Sequence, residues 1–194
     1  MSRPDWDTYF LQMAYLAASR ATCDRKHVGA VIVVDRRVVS TGYNGSPKGA
    51  PSCDEVGHEI HQEHCVRTLH AESNAIDWAG RATHGASLYV TVIPCYDCAK
   101  RIVNAGITRV YYDEFYASRY GKSDQVTAYF TENKVIWVQV DTPGLHLFKE
   151  LQKELDAKLA AALAVTLVKF TCGCEVPYSK AGKSCRVHDK PVAG

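Results

Sequence analysis

Two short groups of candidate metal ligands constrain this chain more than any other feature: His70-Ala71-Glu72, and Pro94-Cys95-Tyr96-Asp97-Cys98. Each opens an expected helix. Residues from His70 to Trp78 favour a helix that Gly80 can end, and Pro94 suits the start of the next one. Between them, Ala86 to Ile93 reads as a strand ending at Pro94. Glu72 lies two positions beyond His70, about 200° around a regular helix. Both residues can serve one site only if that helix points its N-terminal end at it.

The rest of the chain supplies a layered α/β domain around this pair. Trp6, Tyr9, Phe10, Met13, Ala14 and Ala17 recur at steps of three and four, the stripe of a helix lying on a core. Val28 to Val34 and Val38 to Thr41 flank the polar turn Asp35-Arg36-Arg37 and read as a hairpin. The run from Gly42 to Pro51 is dense in turn formers and begins a loop that lasts to about His64. Cys98, Ile102, Val103 and Ala105 continue as a helix stopped by Gly106, and Arg109 to Tyr112 and Val135 to Val140 are two more strands. The expected order is helix, strand, strand, helix, strand, helix, strand, helix, strand. Helical crossovers after an initial hairpin predict a central mixed five-stranded sheet flanked by helices.

Length and composition agree with this. The 194 residues suffice for one ordinary domain with a small appendage, and 46% apolar with 23% charged residues describes a chain that folds. We expect the main domain over residues 1–147 and a small C-terminal extension over 148–194, where Leu147 to Val165 has helical composition. A net charge of +2 does not support binding long nucleic acid through bulk charge, but leaves a small anionic ligand open. The longest mostly apolar stretch, Leu159 to Val168, is about half a bilayer span, so no membrane helix is expected. The start of the chain, with Arg3, Asp5 and Asp7, lacks the features of a secretory signal, and a cytoplasmic location is expected. In that reducing compartment, eight cysteines and eight histidines read as metal ligands or buried thiols before disulfides.

The two opening groups then define a chemistry. One imidazole and two thiolates give zinc three protein ligands and leave a fourth position for water. The cysteines sit at a helix start, where unpaired backbone amides favour the ionised thiol. Zinc lowers the pKa of its bound water, and Glu72 can take a proton from that water and pass it to a ring nitrogen and then to leaving ammonia. This is hydrolytic deamination, and a non-ligand glutamate between the histidine and the cysteine pair is the signature of zinc nucleobase deaminases. A metalloprotease needs two histidines four apart on one helix face, a pair this chain lacks. A thioredoxin-like redox site leaves His70 and Glu72 unexplained.

Together with Val28-Gly29-Ala30 and Gly42-Tyr43-Asn44-Gly45-Ser46-Pro47, these groups resemble the deoxycytidylate (dCMP) deaminases of the cytidine deaminase superfamily, over about residues 6 to 140. The His-x-Glu and Pro-Cys-x-x-Cys parts belong to the whole superfamily, whereas the loop beginning at Gly42 points to the nucleotide monophosphate branch. The resemblance implies a three-layer cytidine-deaminase-like fold, a catalytic zinc on His70, Cys95 and Cys98, and Glu72 as proton shuttle. It implies that dCMP is hydrolysed to dUMP and ammonia, feeding thymidylate synthesis, with Asn44 at the substrate sugar. It further implies a homohexamer activated by dCTP with Mg2+ and inhibited by dTTP. The effectors would meet the loop at Gly42, Tyr43, Asn44 and Gly45, and Trp78 and Arg81 would link that site to subunit contacts. Trp78 also reads as a core aromatic. The candidates for the substrate phosphate are Arg20, Arg25, Lys26 and Tyr116, and Tyr116 matches a family tyrosine at the mouth of the nucleotide pocket.

The resemblance also implies a second, structural zinc on Cys23 and Cys53, with His64 as third ligand and the fourth open among His58, His61 and Cys65. Near the C-terminus, Cys172-Gly173-Cys174 and Cys185-Arg186-Val187-His188 form two close ligand pairs ten residues apart, a pattern similar to a zinc knuckle or a ribbon fragment. A tail with unpaired thiols and a nucleic-acid-binding knuckle are the other readings of that segment. For the whole chain, the alternatives are a deaminase of another cytosine nucleotide such as dCTP, and a non-catalytic zinc-stabilised binding module. The presence of Glu72 speaks against the module. A polynucleotide-editing deaminase would need a basic, aromatic-lined channel that the small net charge does not supply.

Overall fold

Asp5 opens the first helix, accepting hydrogen bonds from the Thr8 N–H at 2.8 Å and the Thr8 hydroxyl at 3.0 Å. The computed structural model describes residues 3–115 and 123–140 and, beyond them, 154, 157, 158, 161, 167–169 and 175–177. Helix α1 spans Trp6–Ala18, and strands β1 (Gly29–Val34) and β2 (Arg37–Tyr43) follow. Asp35 and Arg36, both at positive φ, make the two-residue turn of that hairpin. Helix α2 (Cys53–Val56) and the small hairpin of β3 (Ile60–His61) and β4 (His64–Cys65) lead to helix α3 (Ala71–Ala79). Then come β5 (Ser87–Val92), α4 (Tyr96–Asn104), β6 (Arg109–Glu114), α5 (Ser123–Glu132) and β7 (Ile136–Gln139).

The main sheet has the order β2-β1-β5-β6-β7. β1 runs antiparallel to both neighbours, and β5, β6 and β7 are parallel, so the sheet is mixed and five-stranded as expected. Strand periodicity divides the helices between its faces. Ala30 and Gly42 pair on one face, with Ile32, Leu88, Val90, Val110 and Tyr112, and bury against Ala71, Ala75, Ala99, Ile102 and Phe130 of α3, α4 and α5. Gly29 and Tyr89 take the other face, beneath α1: Phe10 packs on Tyr89 with ring centroids 5.2 Å apart, and Tyr89 stacks on Tyr111 at 4.6 Å. Three layers result.

Two glycines allow the helices to approach this closely. A Cβ on Gly29 would clash with the carbonyl of Ala14 and lie 2.5 Å from the Ala18 nitrogen. A Cβ on Gly42 would clash with the carbonyl of Ala71 and lie 2.5 Å from the Ala75 nitrogen. This is where the structure departs from the expected loop start at Gly42: Gly42 and Tyr43 continue β2, in register with Ala30 and Gly29. The long loop also holds more structure than expected. Ser52 and Glu55 form a reciprocal capping box on α2, and Gln62 and Glu63 turn the β3–β4 hairpin.

The chain divides into two units, Met1–Thr142 and Pro143–Gly194. In the second, Leu167–Lys169 pairs antiparallel with Glu175–Pro177, and Lys158 and Glu154 form an ion pair at 3.1 Å. Cys172, Cys174, Cys185 and His188 lie outside the described residues, as does Tyr116. Among the described residues, no helix is long and apolar enough to cross a membrane.

Candidate metal centre and active site

Strand polarity brings the chemistry to one end of the main sheet. β1 begins there, β2, β5 and β6 end there, and α3 and α4 start there. His70 is the N-cap of α3 and Cys95 the N-cap of α4, each with extended backbone immediately before its helix. The segment before His70 is pinned by two backbone bonds between Leu69 and Gly45, of 2.9 and 3.2 Å. From within α3, the Asn74 side-chain amide donates to the Tyr43 carbonyl at 2.7 Å, and the Ser40 hydroxyl donates to the Ala75 carbonyl at 2.7 Å. The helix is thereby fixed along the end of β2.

His70 Nδ1 lies 3.4 Å from Cys95 Sγ and 3.3 Å from Cys98 Sγ, and all three donor atoms lie within 4.8 Å of one another. With Zn–N near 2.0–2.1 Å and Zn–S near 2.3 Å, two ligands at the tetrahedral angle stand roughly 3.5 Å apart. The spacing of this set therefore suits one zinc ion, and three donors leave a tetrahedral position for a further ligand. The Cys98 N–H points to Cys95 Sγ at 3.5 Å. Hydrogen bonding from Cys98 and the nearby His70 bring the Cys95 thiol down to about 4, while the same Cys95 raises the His70 imidazole to about 9. A proton on the imidazole thus balances a thiolate charge, a balance that a divalent cation would take over.

Glu72 occupies the first turn of α3 and is 4% exposed. Burial pushes its carboxyl above the usual range, partly opposed by the charge of His70. Asn44 is also buried; its side-chain oxygen accepts from the Val28 N–H at 2.8 Å and its amide donates to the Lys26 carbonyl at 2.9 Å. One N–H and one lone pair of that amide remain beyond these two bonds. Lys26, at the same sheet end, pairs with Glu114 at 2.6 Å, and Arg25 donates to the Glu63 carbonyl at 2.7 Å. Trp78 is not a core aromatic: 78% of it is exposed, on the outer side of α3. Arg81 lies in the short 3-10 turn that follows, also exposed.

A second cluster gathers Cys23, Cys53, His58 and Cys65. Cys53 and Cys65 sulfurs are 3.5 Å apart, and Cys23 Sγ is 3.7 Å from His58 Nδ1. The other nitrogen of His58 faces the Asp24 carboxylate at 2.9 Å, the kind of support that orients an imidazole ligand. Burial pushes the Cys53 thiol up to about 12; the Cys65 thiol, despite burial, is brought to about 6 by the main-chain N–H of Arg67 and by Cys53. The set differs from the expected one at one position, since His64 lies outside the cluster and His58 within it. His64 and Cys65 are neighbours on β4, and successive strand residues face opposite ways, so one of them turns inward. His61, paired with His64, stays outside with it.

A mixed sheet carrying a His-Cys-Cys set and a buried glutamate at two converging helix starts defines a zinc-dependent deaminase class of site. Sequence comparison agrees. The chain belongs to the cytidine and deoxycytidylate deaminase family, whose zinc-binding region matches residues 4–114. It is 47% identical over 119 residues to the ComE operon protein 2 of Bacillus subtilis, covering 60% of this chain and 63% of that protein. It is 46% identical over 125 residues to the deoxycytidylate deaminase of Mycobacterium phage D29, covering 58% of this chain and 97% of the phage protein. Among solved structures it is similar to the dCMP deaminase of cyanophage S-TIM5 in complex with dCMP and dUMP. The TM-score is 0.60 at 27% identity, over 72% of this chain and all of that one.

Proposed function

We propose that this protein hydrolyses dCMP to dUMP and ammonia. The observation that carries the reading is Glu72, a buried carboxyl two residues beyond His70, whose ring nitrogen and the Cys95 and Cys98 sulfurs are spaced for a single zinc ion. Likeness to proteins named as deoxycytidylate deaminases, and to a structure solved with dCMP and dUMP, supports that substrate. His70, Cys95 and Cys98 would hold the zinc, which when bound lowers the pKa of a water molecule and supplies the nucleophile at neutral pH. Glu72 would take a proton from the attacking water and deliver it to N3 of the base. It would then move a second proton to the departing amine, so that water and dCMP become dUMP and ammonia. Burial suits the carboxyl to this traffic, because it raises the group's affinity for the proton it has to accept. Asn44, held by Lys26 and Val28, offers its remaining donor and acceptor to the sugar. The candidates for the phosphate are Arg20, Arg25 and Lys26, with Tyr116 added by the family resemblance.

The same reading includes a structural zinc on Cys23, Cys53, His58 and Cys65, which would brace the loop leading to His70. It includes a closed zinc site on Cys172, Cys174, Cys185 and His188, and a cytoplasmic location. Regulation follows the family resemblance: a homohexamer activated by dCTP with Mg2+ and inhibited by dTTP, with effector contacts at Gly42, Tyr43, Asn44 and Gly45. The exposed Trp78, with Arg81, suits a contact between subunits. Ammonia release from dCMP, dCTP, cytidine and a cytosine-containing oligonucleotide tests the proposal. dCMP is expected to lead, and release from none of the four would overturn it. Gel filtration with and without dTTP tests the assembly.

A further inference from the structure

We infer that the Ser73 hydroxyl is a positioning group for the metal centre, donating a hydrogen bond to the Cys98 sulfur across the gap between α3 and α4. The inference rests on the proposed zinc at His70, Cys95 and Cys98. Ser73 follows Glu72 in α3, and its Oγ stands 3.9 Å from Cys98 Sγ, at the long limit for a hydroxyl–sulfur bond. Ser73 is 6% exposed and Cys98 2%, so bulk water does not compete for either atom. Serine is a poorer helix former than alanine, and a buried hydroxyl without a partner is costly. Among the described residues, Cys98 Sγ is the hydrogen-bond partner of this hydroxyl. An ionised sulfur accepts such a bond better than a thiol does, so the serine pays its way when Cys98 is a thiolate ligand.

The two sulfurs are supported from different elements. Cys95 Sγ accepts from the Cys98 N–H inside α4, whereas Cys98 Sγ is reached from α3, the helix that also carries His70 and Glu72. The Ser73 bond therefore ties together the two helix starts whose mutual position sets the ligand geometry. It also draws charge from one thiolate, which alters how strongly that sulfur donates to the ion. Supporting groups of this kind change metal affinity about 10–100-fold.

The test uses the full chain with Ser73→Ala and Ser73→Thr. Zinc affinity is measured by competition with a chromophoric chelator, and the cobalt-loaded protein reports the thiolate-to-cobalt charge-transfer band. Metal sites elsewhere in the chain serve as an internal reference. Ser73→Ala is expected to weaken zinc binding at this site about tenfold and to move the band to longer wavelength, and Ser73→Thr to restore both. Affinity within twofold of wild type with an unmoved band would overturn the inference. So would a threonine variant as weak as the alanine one, since packing alone would then account for the loss. A wild-type protein that binds no metal through His70, Cys95 and Cys98 defeats the proposed function itself; a zinc-bound wild type with an indifferent Ser73→Ala defeats this inference alone.

Discussion

One methyl group added at Gly42 is expected to impair turnover although Gly42 carries no reacting atom. The alanine Cβ would lie 2.5 Å from the Ala75 nitrogen, about 0.9 Å short of an ordinary contact at 3.4 Å, and closer still to the Ala71 carbonyl oxygen. Both obstacles are backbone, so no side chain can swing aside. Either β2 leaves the sheet or α3 moves outward by about 1 Å. The sheet register Ala30↔Gly42 and the Leu69–Gly45 bonds resist the first, so the strain falls on the start of α3, where His70 and Glu72 sit. Overpacking of this kind costs about 1–3 kcal/mol, here at the upper end. For a domain of this size that lowers Tm by roughly 6–12 °C. A displacement near 1 Å at reacting groups lowers rates by about 100-fold. The assay is differential scanning calorimetry beside steady-state dCMP deamination, with Thr41→Ala as reference. Thr41 is exposed on the same strand, and its variant is expected within about 0.5 kcal/mol of wild type. A Gly42→Ala protein with wild-type Tm and kcat would refute the argument that backbone contact at this glycine positions the catalytic helix.

Glu72→Gln is expected to retain zinc by elemental analysis and to lose turnover by on the order of 100- to 10,000-fold; a rate near wild type would remove the proton shuttle. Cys65→Ser and His58→Ala are each expected to lower bound zinc by about one ion per chain and to reduce Tm, whereas His64→Ala keeps the metal. Equal losses from His58→Ala and His64→Ala would contradict the observed cluster. Asp5→Ala removes the cap of α1 and is expected to cost about 1 kcal/mol at neutral pH. The Asp5 carboxyl is held below its ordinary 3.8, chiefly by the Thr8 N–H. Its stabilisation is therefore present above that value and is lost as pH falls through the lower folded value, so wild type and variant converge in acid. Denaturation midpoints whose separation does not shrink as pH falls below the ordinary 3.8 would refute this role for the carboxylate.

The elements legible in the sequence were those with a physical period or a stop signal. Val28 to Val34 shows a run of β-branched residues that fits the buried β1, and Gly80 and Gly106 mark the ends of α3 and α4 with backbone that other residues adopt at a cost. The extension of β2 through Gly42 and Tyr43 was not legible, because its cause lies 29 residues away. Glycine reads locally as a turn former, and the α3 backbone that demands it at Gly42 comes close only once the domain has folded. Helix α2 and the β3–β4 hairpin were hidden for a related reason. Elements of four and two residues are too short to express a period, though Ser52 and Glu55 carry the capping-box spacing that would have revealed α2.

The same distinction governs the two metal clusters. His70, Cys95 and Cys98 are legible because each helix start supplies its ligands at a fixed local offset, and the strand between them sets the distance that chain folding must close. In the other cluster, the choice between His58 and His64 depends on which way a two-residue strand faces. That orientation is set by the β3–β4 register, in which Ile60 pairs with Cys65 and His61 with His64. Once Cys65 turns inward, strand alternation carries His64 away, and His58, before the hairpin, is the imidazole left within reach of Cys23. Moving the register by one residue would exchange the roles of the two positions, so this ligand set is a property of the hairpin pairing rather than of residue spacing.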